Sequence, residues 1–296
     1  GFPDLNMQFN TKDVSFATAP CWYKGITYSD EYRRGFACKE DLYVPGRFET
    51  EMKPGDAIVF SASVALANPS GLKRKFDFYV AKAAKITTYH EQLVHCADLL
   101  KQDRGGHKMI TAGFSWLYTG LLRETLEALP GLTLYANGDK AEFEEILDNL
   151  IADNQERLFH RTTQVEAPLR LADTLGRYIG FGADPKAVWK KYGPTVKGII
   201  ESYLPGRRVE VAMQPNGLLW AQLDHWALSW MNTYVDGNPV TERAGYQVET
   251  NAMWFQSVLF AVTMERKYSP SDSAFLKEWS HILDLIRENF QNTFWK

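Results

Sequence analysis

Near residue 86 the hydrophobic period of this 296-residue chain changes, and that change bounds what it can fold into. Before it, Ile58, Phe60, Ala62 and Val64 alternate with Val59, Ser61 and Ser63, the period of two expected of a half-buried strand. Phe76-Asp77-Phe78-Tyr79-Val80 predicts a second strand, and Pro54-Gly55 and Asn68-Pro69-Ser70-Gly71 predict turns. So few strands predict part of a β-sandwich over residues 1–85.

After residue 86 the period is helical. Thr88 and Glu91 form a capping-box pair ahead of Leu93, Cys96, Ala97 and Leu100, which predicts a helix joining two domains over residues 86–105. Asp139 with Glu142 precedes an apolar face of Phe143, Ile146, Leu147, Leu150 and Ile151. Leu169, Ala172, Leu175 and Ile179 make another. Asp184-Pro185 starts a helix that runs to Pro205-Gly206, and Ser269-Pro270 repeats that signal before Phe275, Trp279, Ile282 and Ile286. With helices near 116–128 and 248–266, residues 106–296 read as mainly α. Such a succession suits a bundle or a toroid of helical hairpins.

Composition excludes several functions. Lys plus Arg total 33 against 36 for Asp plus Glu, so no basic field exists to hold nucleic acid. No window reaches the ~20 apolar residues of a membrane span, and Gly1–Asn10 lacks a signal-peptide layout. Gly1 reads as a processed end. Cys21, Cys38 and Cys96 form no CxxC pair, which argues against a disulfide scaffold or zinc ribbon and fits a reducing cytoplasm. The 9 tryptophans fit either a packed core or a cleft in which sugar rings lie on indoles.

Two stretches lack helical period. Pro205–Gly245 holds Trp220, Trp226, Trp230, Asp224, His225, Asn232, Asp236, Glu242 and Arg243, and long irregular stretches in compact domains are usually functional or disordered. The other is Gly105–Trp116. Gly113-Phe114-Ser115-Trp116-Leu117 misses the nucleophile elbow because Leu117 stands where the second Gly belongs. Gly180-Phe181-Gly182 reads as a helix C-terminus rather than a dinucleotide loop. Without HExxH or a His/Asp cluster, no catalytic metal is expected. Glu124 and Glu127, near Arg123 and Trp116, and Glu242 and Glu249, near Arg243, fit glycoside chemistry, which needs one carboxylic acid and one carboxylate. For Glu124 and Glu127 a solvated helix face is the plain alternative.

At these residues the sequence resembles the bacterial glycogen debranching enzyme (amylo-α-1,6-glucosidase) family. Trp22-Tyr23 with Gly25, Tyr28, Glu31, Arg34-Gly35, Glu40-Asp41-Leu42 and Pro45-Gly46 is similar to the end of the family's N-terminal β domain. Ile110–Trp116, Arg123-Glu124-Thr125 and Ala128–Leu134 are similar to the start of its catalytic domain. Leu171-Ala172-Asp173, Asn216–Leu219, Ser229–Asn232, Val240–Arg243 and Val248–Ala252 follow in the family's order. The resemblance implies an α/α toroid, an incomplete six-hairpin barrel here, preceded by a β-sandwich portion. It implies inverting hydrolysis of α-1,6-linked glucose stubs in glycogen or a related α-glucan, without cofactor. It also implies Glu249 and Glu124 as cleft carboxylates, with Arg123, Arg243, Trp116, Trp230 and Asp173 holding glucose.

Three departures from the family pattern stand out. Asn232 occupies the position of the family's acidic Asp, and an amide has no proton to deliver. Glu124 replaces an Asp. Glu242 replaces a Pro and is a candidate for the acid role, or a partner for Arg243. The chain also stops before the family's last helices, so it is expected to be a fragment. Apolar faces left wet at about 25 cal/mol per Å² favour either further chain or a second copy as cover. A non-catalytic α-glucan-binding fragment is the competing reading.

Overall fold

The computed structural model describes residues 3–33, 35–83, 85–113, 121–269 and 274–295. The chain divides into two units, Gly1–Lys85 and Ile86–Lys296.

The first unit contains β1 (Asn6–Phe9), β2 (Ser15–Thr27), α1 (Ser29–Arg33), β3 (Lys39–Glu49), β4 (Phe60–Ser63) and α2 (Leu72–Lys82). β2 and β3 pair antiparallel, Ser15 opposite Glu49 and Thr27 opposite Lys39, with register shifts between Thr18 and Cys21 and between Tyr23 and Ile26. Pro20, which has no N–H for the ladder, sits in the first shift, and Gly25, with φ +65°, in the second. β1 pairs with β4. Phe76–Val80, expected as a strand, lies inside helix α2. Asn68 caps the preceding turn by accepting from Ser70 N, and Lys73 pairs with Asp77 at 2.6 Å one helical turn on. These local contacts override the strand preference of the aromatic run. Among the described residues, Leu72 is this unit's buried hydrophobic side chain.

The second unit is mainly helical. It runs α3 (Tyr89–Leu100), β5 (Lys101–Asp103), β6 (Lys108–Ile110), α4 (Leu122–Leu129), a π-helical turn over Pro130–Tyr135, α5 (Lys140–Asp153) and α6 (Gln155–Phe159). Then follow α7 (Arg170–Gly180), α8 (Pro185–Ser202), β7 (Val211–Met213), β8 (Leu219–Ala221), β9 (Tyr234–Val235), β10 (Asn238–Pro239), β11 (Gly245–Tyr246), α9 (Val248–Tyr268) and α10 (Ala274–Phe294). Thr88 and Glu91 make the expected capping box. Asp139 and Asp184 cap α5 and α8 with their side chains. α7 ends in a Schellman motif, Gly182 at φ +93° with Ala183 N donating to Tyr178 O and Gly182 N to Ile179 O. Ser269 closes α9, and Pro270 lies outside the described residues.

α9 packs against α7, α8 and α10, while α4 packs against α5 and α7. One continuous core results, in which Trp254 meets Trp279 edge-on at 5.7 Å. The tryptophans divide by burial. Trp189, Trp254 and Trp279 are buried, while Trp220, Trp226 and Trp230 are exposed. Pro205–Gly245 is not free of regular structure. β11, β8 and β7 form a three-stranded antiparallel sheet, and β9 and β10 a hairpin, each strand too short to show a period. Among the described residues no helix is long and apolar enough to cross a membrane.

Candidate functional site

Glu249 stands in the first turn of α9, where unpaired backbone N–H groups favour negative charge. Arg243 grips its carboxylate with both terminal nitrogens, Nη2 at 2.6 Å from Oε2 and Nη1 on Oε1. Trp230 Nε1 donates to Oε1 at 3.1 Å. Burial works against the charge of Glu249. The bonds from Arg243, the residue's own backbone N–H and Trp230 outweigh it and hold the carboxyl below the usual carboxylate range. Glu249 is therefore an ionised acceptor at neutral pH, not a proton donor. Arg243 adopts φ +54°, the left-handed region that few non-glycine residues enter. Gln247 Nε2 donates to Arg243 O at 2.8 Å and fixes that turn.

A second cluster lies at the first turn of α4. Arg123 Nη2 meets Glu124 Oε1 at 2.6 Å, and its Nη1 reaches Glu166 Oε1 at 3.3 Å. Burial works against the charge of Arg123, but both carboxylates outweigh it and raise its pKa. Glu166 is fully buried, and burial pushes its carboxyl up despite Arg123. Among the described residues, Glu124 Oε2, Glu166 Oε2 and Arg170 Nε are buried here without a hydrogen-bond partner. Such atoms are rare and call for an explanation.

Asp173, in the first turn of α7, pairs with Arg177 at 2.8 Å and accepts from Gln256 Nε2 at 3.1 Å. Gln256 lies seven residues after Glu249 on α9, two turns along the same helical face, or about 10 Å of rise. α4, α7 and α9, each adjacent to the next, thus carry Glu124, Asp173 and Glu249 in their first turns. Asn232 and Glu242 are exposed on the loop either side of β9 and β10. Arg243 spends its guanidinium on Glu249 rather than on Glu242. His225 is exposed, at φ +64°. Trp116, with the rest of Phe114–Leu117, lies outside the described residues.

The irregular loop is fastened to α9 from within. Asn251, fully buried, accepts from Leu219 N at 2.7 Å and donates to Leu219 O at 3.0 Å, so its amide serves β8 as a strand neighbour would. Beyond β8 a shallow hollow of about 410 Å³ includes Trp220, Gln222 and Asp224 but none of the carboxylates above.

Sequence reasoning missed Glu166, Gln256 and Asn251. Glu166 left one signal, a lone carboxylate in the apolar run Val165-Glu166-Ala167-Pro168-Leu169. Gln256 and Asn251 left none, because uncharged amides on a long helix announce no partner.

Residues 91–296 match the family described as amylo-alpha-1,6-glucosidase, which puts the helical unit in a glycosidase class. Residues 1–59 match the family described as glycogen debranching enzyme N terminal. The chain belongs to the glycogen debranching enzyme family. No curated protein and no solved structure matches it detectably.

Proposed function

We propose that this chain carries the site of a glucosidase that releases α-1,6-linked glucose stubs from glycogen or a related α-glucan by inversion, in a reducing cytoplasm. In this reading residues 1–85 are the end of a β-sandwich domain, 86–105 a linker helix and 106–296 part of an α/α toroid. The observation that carries it is the ionised Glu249, clamped by Arg243 beside the indole of Trp230. That carboxylate is suited to accept hydrogen bonds from sugar hydroxyls and to stabilise positive charge developing on the glucose ring. Glu124, the partly exposed carboxylate of that cluster, lines the cleft, and Arg123, bonded to both Glu124 and the enclosed Glu166, holds it in place. Asp173 orients through Gln256. Trp116, Trp230 and Arg243 complete the glucose contacts. Glu242, exposed and not tied to Arg243, supplies the proton that the amide of Asn232 cannot.

The test is glucose release from a branched limit dextrin, with the released anomer followed by proton NMR. Inversion at an α-linkage yields β-glucose first. Glu242→Gln removes the proposed proton donor and lowers the rate by about 100-fold, the usual worth of a positioned acid. An unchanged rate removes that position from the proton path. The exposed amide of Asn232 also favours a second reading, a glucan-binding protein without turnover. Dextrin binding with no glucose release selects it.

A further inference from the structure

Strand alternation places an unassigned set of side chains on one face of the β7–β8–β11 sheet. Ala212 is opposite Trp220, and Trp220 is opposite Tyr246. Val211, Leu219 and Ala221 turn inward and are buried. The other face therefore carries Ala212 of β7 and Trp220 of β8, and the flanking residues Glu210, Gln214, Gln222 and Asp224 lie beside them. These six line the shallow hollow of about 410 Å³.

Trp220 is 40% exposed, yet its ring has neighbours on this sheet. Its ring meets Tyr246 edge-on at 4.9 Å, its Nε1 donates to Gln222 Oε1 at 3.3 Å, and Gly245, at φ +107°, lies against the ring, where a Cβ would stand 3.5 Å from it. Asn251 fixes the neighbouring Leu219 backbone. An exposed indole normally gains by folding back onto its own protein. Here it is propped outward, opposite the small Ala212, with the side-chain amides and carboxylate of Gln214, Gln222 and Asp224 around it. Glu210 is already spent on Thr162 N and Arg208. An apolar plate ringed by acceptors and donors fits a pyranose, which offers a C–H face and a rim of hydroxyls.

We infer that this face is a second α-glucan contact, holding the outer chain of the glucan whose reacting end lies at Glu249. The inference rests on the glucan reading of the preceding subsection. Tyr246 is three residues from Glu249, at most about 11 Å of extended chain, so the plate lies within a short run of sugar units of the carboxylate.

The experiment is calorimetric titration of maltoheptaose into the 1–296 chain and into Trp220→Ala, Trp220→Phe and Gln222→Ala, with circular dichroism to check each fold. Trp220→Ala weakens binding by about tenfold, equivalent to 1.4 kcal/mol, Gln222→Ala by about threefold, and Trp220→Phe least. Gln222→Ala keeps the indole, so it decides the matter should Trp220→Ala fail to fold. Equal affinity in the folded variants, or no maltoheptaose binding by the parent, overturns the inference. Glucose release is assayed in parallel. A parent that binds through Trp220 but releases no glucose keeps this inference and loses the hydrolytic reading. A parent that releases glucose while Trp220→Ala binds unchanged does the reverse.

Discussion

Glu166 is enclosed completely, yet among the described residues its Oε1 meets Arg123 at 3.3 Å while its Oε2 has no hydrogen-bond partner. Because burial raises its pKa in the folded protein, folding favours the protonated form. Its contribution is therefore intact below the ordinary carboxylate pKa and is lost as pH rises through the raised value. Glu166→Gln mimics the neutral form permanently and keeps an acceptor for Arg123. The variant is expected to match the parent near pH 4 and to melt about 2–4 °C higher at pH 7, roughly 1 kcal/mol for a unit this size. Thermal melts across that range check it, and a lower midpoint at pH 7 would mean that an ionised, well-paired Glu166 stabilises the fold. At this scale the sequence was legible where charge and indole announce themselves, as with Glu249, Arg243 and Trp230. It was illegible where meaning depends on a distant neighbour. Glu242 stands next to Arg243 in sequence, but the left-handed turn at Arg243 sends the guanidinium to Glu249 instead.

Helix α8 runs through Pro194 without ending. Proline ordinarily breaks a helix because it lacks an N–H and crowds the preceding residue. Here the preceding residue is Gly193, which has no Cβ to crowd. A Cβ there would also lie 2.9 Å from Cδ2 of the buried Trp189, whose Nε1 is tied to Glu265 at 2.9 Å. Gly193→Ala is expected to cost about 1–3 kcal/mol, read as a fall in the thermal midpoint, since the indole has nowhere to retreat. An unchanged midpoint would show that α8 yields at Pro194. Elements with caps were readable in advance: Thr88, Asp139 and Asp184 each mark a start that the structure keeps. Phe76–Val80 was misread because its residue types favour a strand, whereas Asn68, the Lys73–Asp77 pair and Lys82 over the Phe78 ring at 4.5 Å act only once a helix exists.

Across the whole molecule, burial is distributed unequally. The helical unit has a continuous core, while Phe16, Trp22, Tyr43, Phe48 and Phe60 of the first unit are exposed. Domains with so little buried apolar area are marginal alone. Residues 86–296 are expected to unfold cooperatively when produced separately, and residues 1–85 to show no cooperative transition by circular dichroism. A sharp transition in the shorter piece would contradict this. The mainly helical class was visible in the sequence because amphipathic faces repeat over many turns. The small sheet around Trp220 was not, since strands of two or three residues carry no periodic signal. That sheet is stitched to α9 by Asn251, two residues beyond Glu249. One amide side chain thus ties the strand that carries Trp220 to the helix that carries Glu249. A ligand bridging the two meets a ruler rather than a jaw, and its length is measured instead of accommodated.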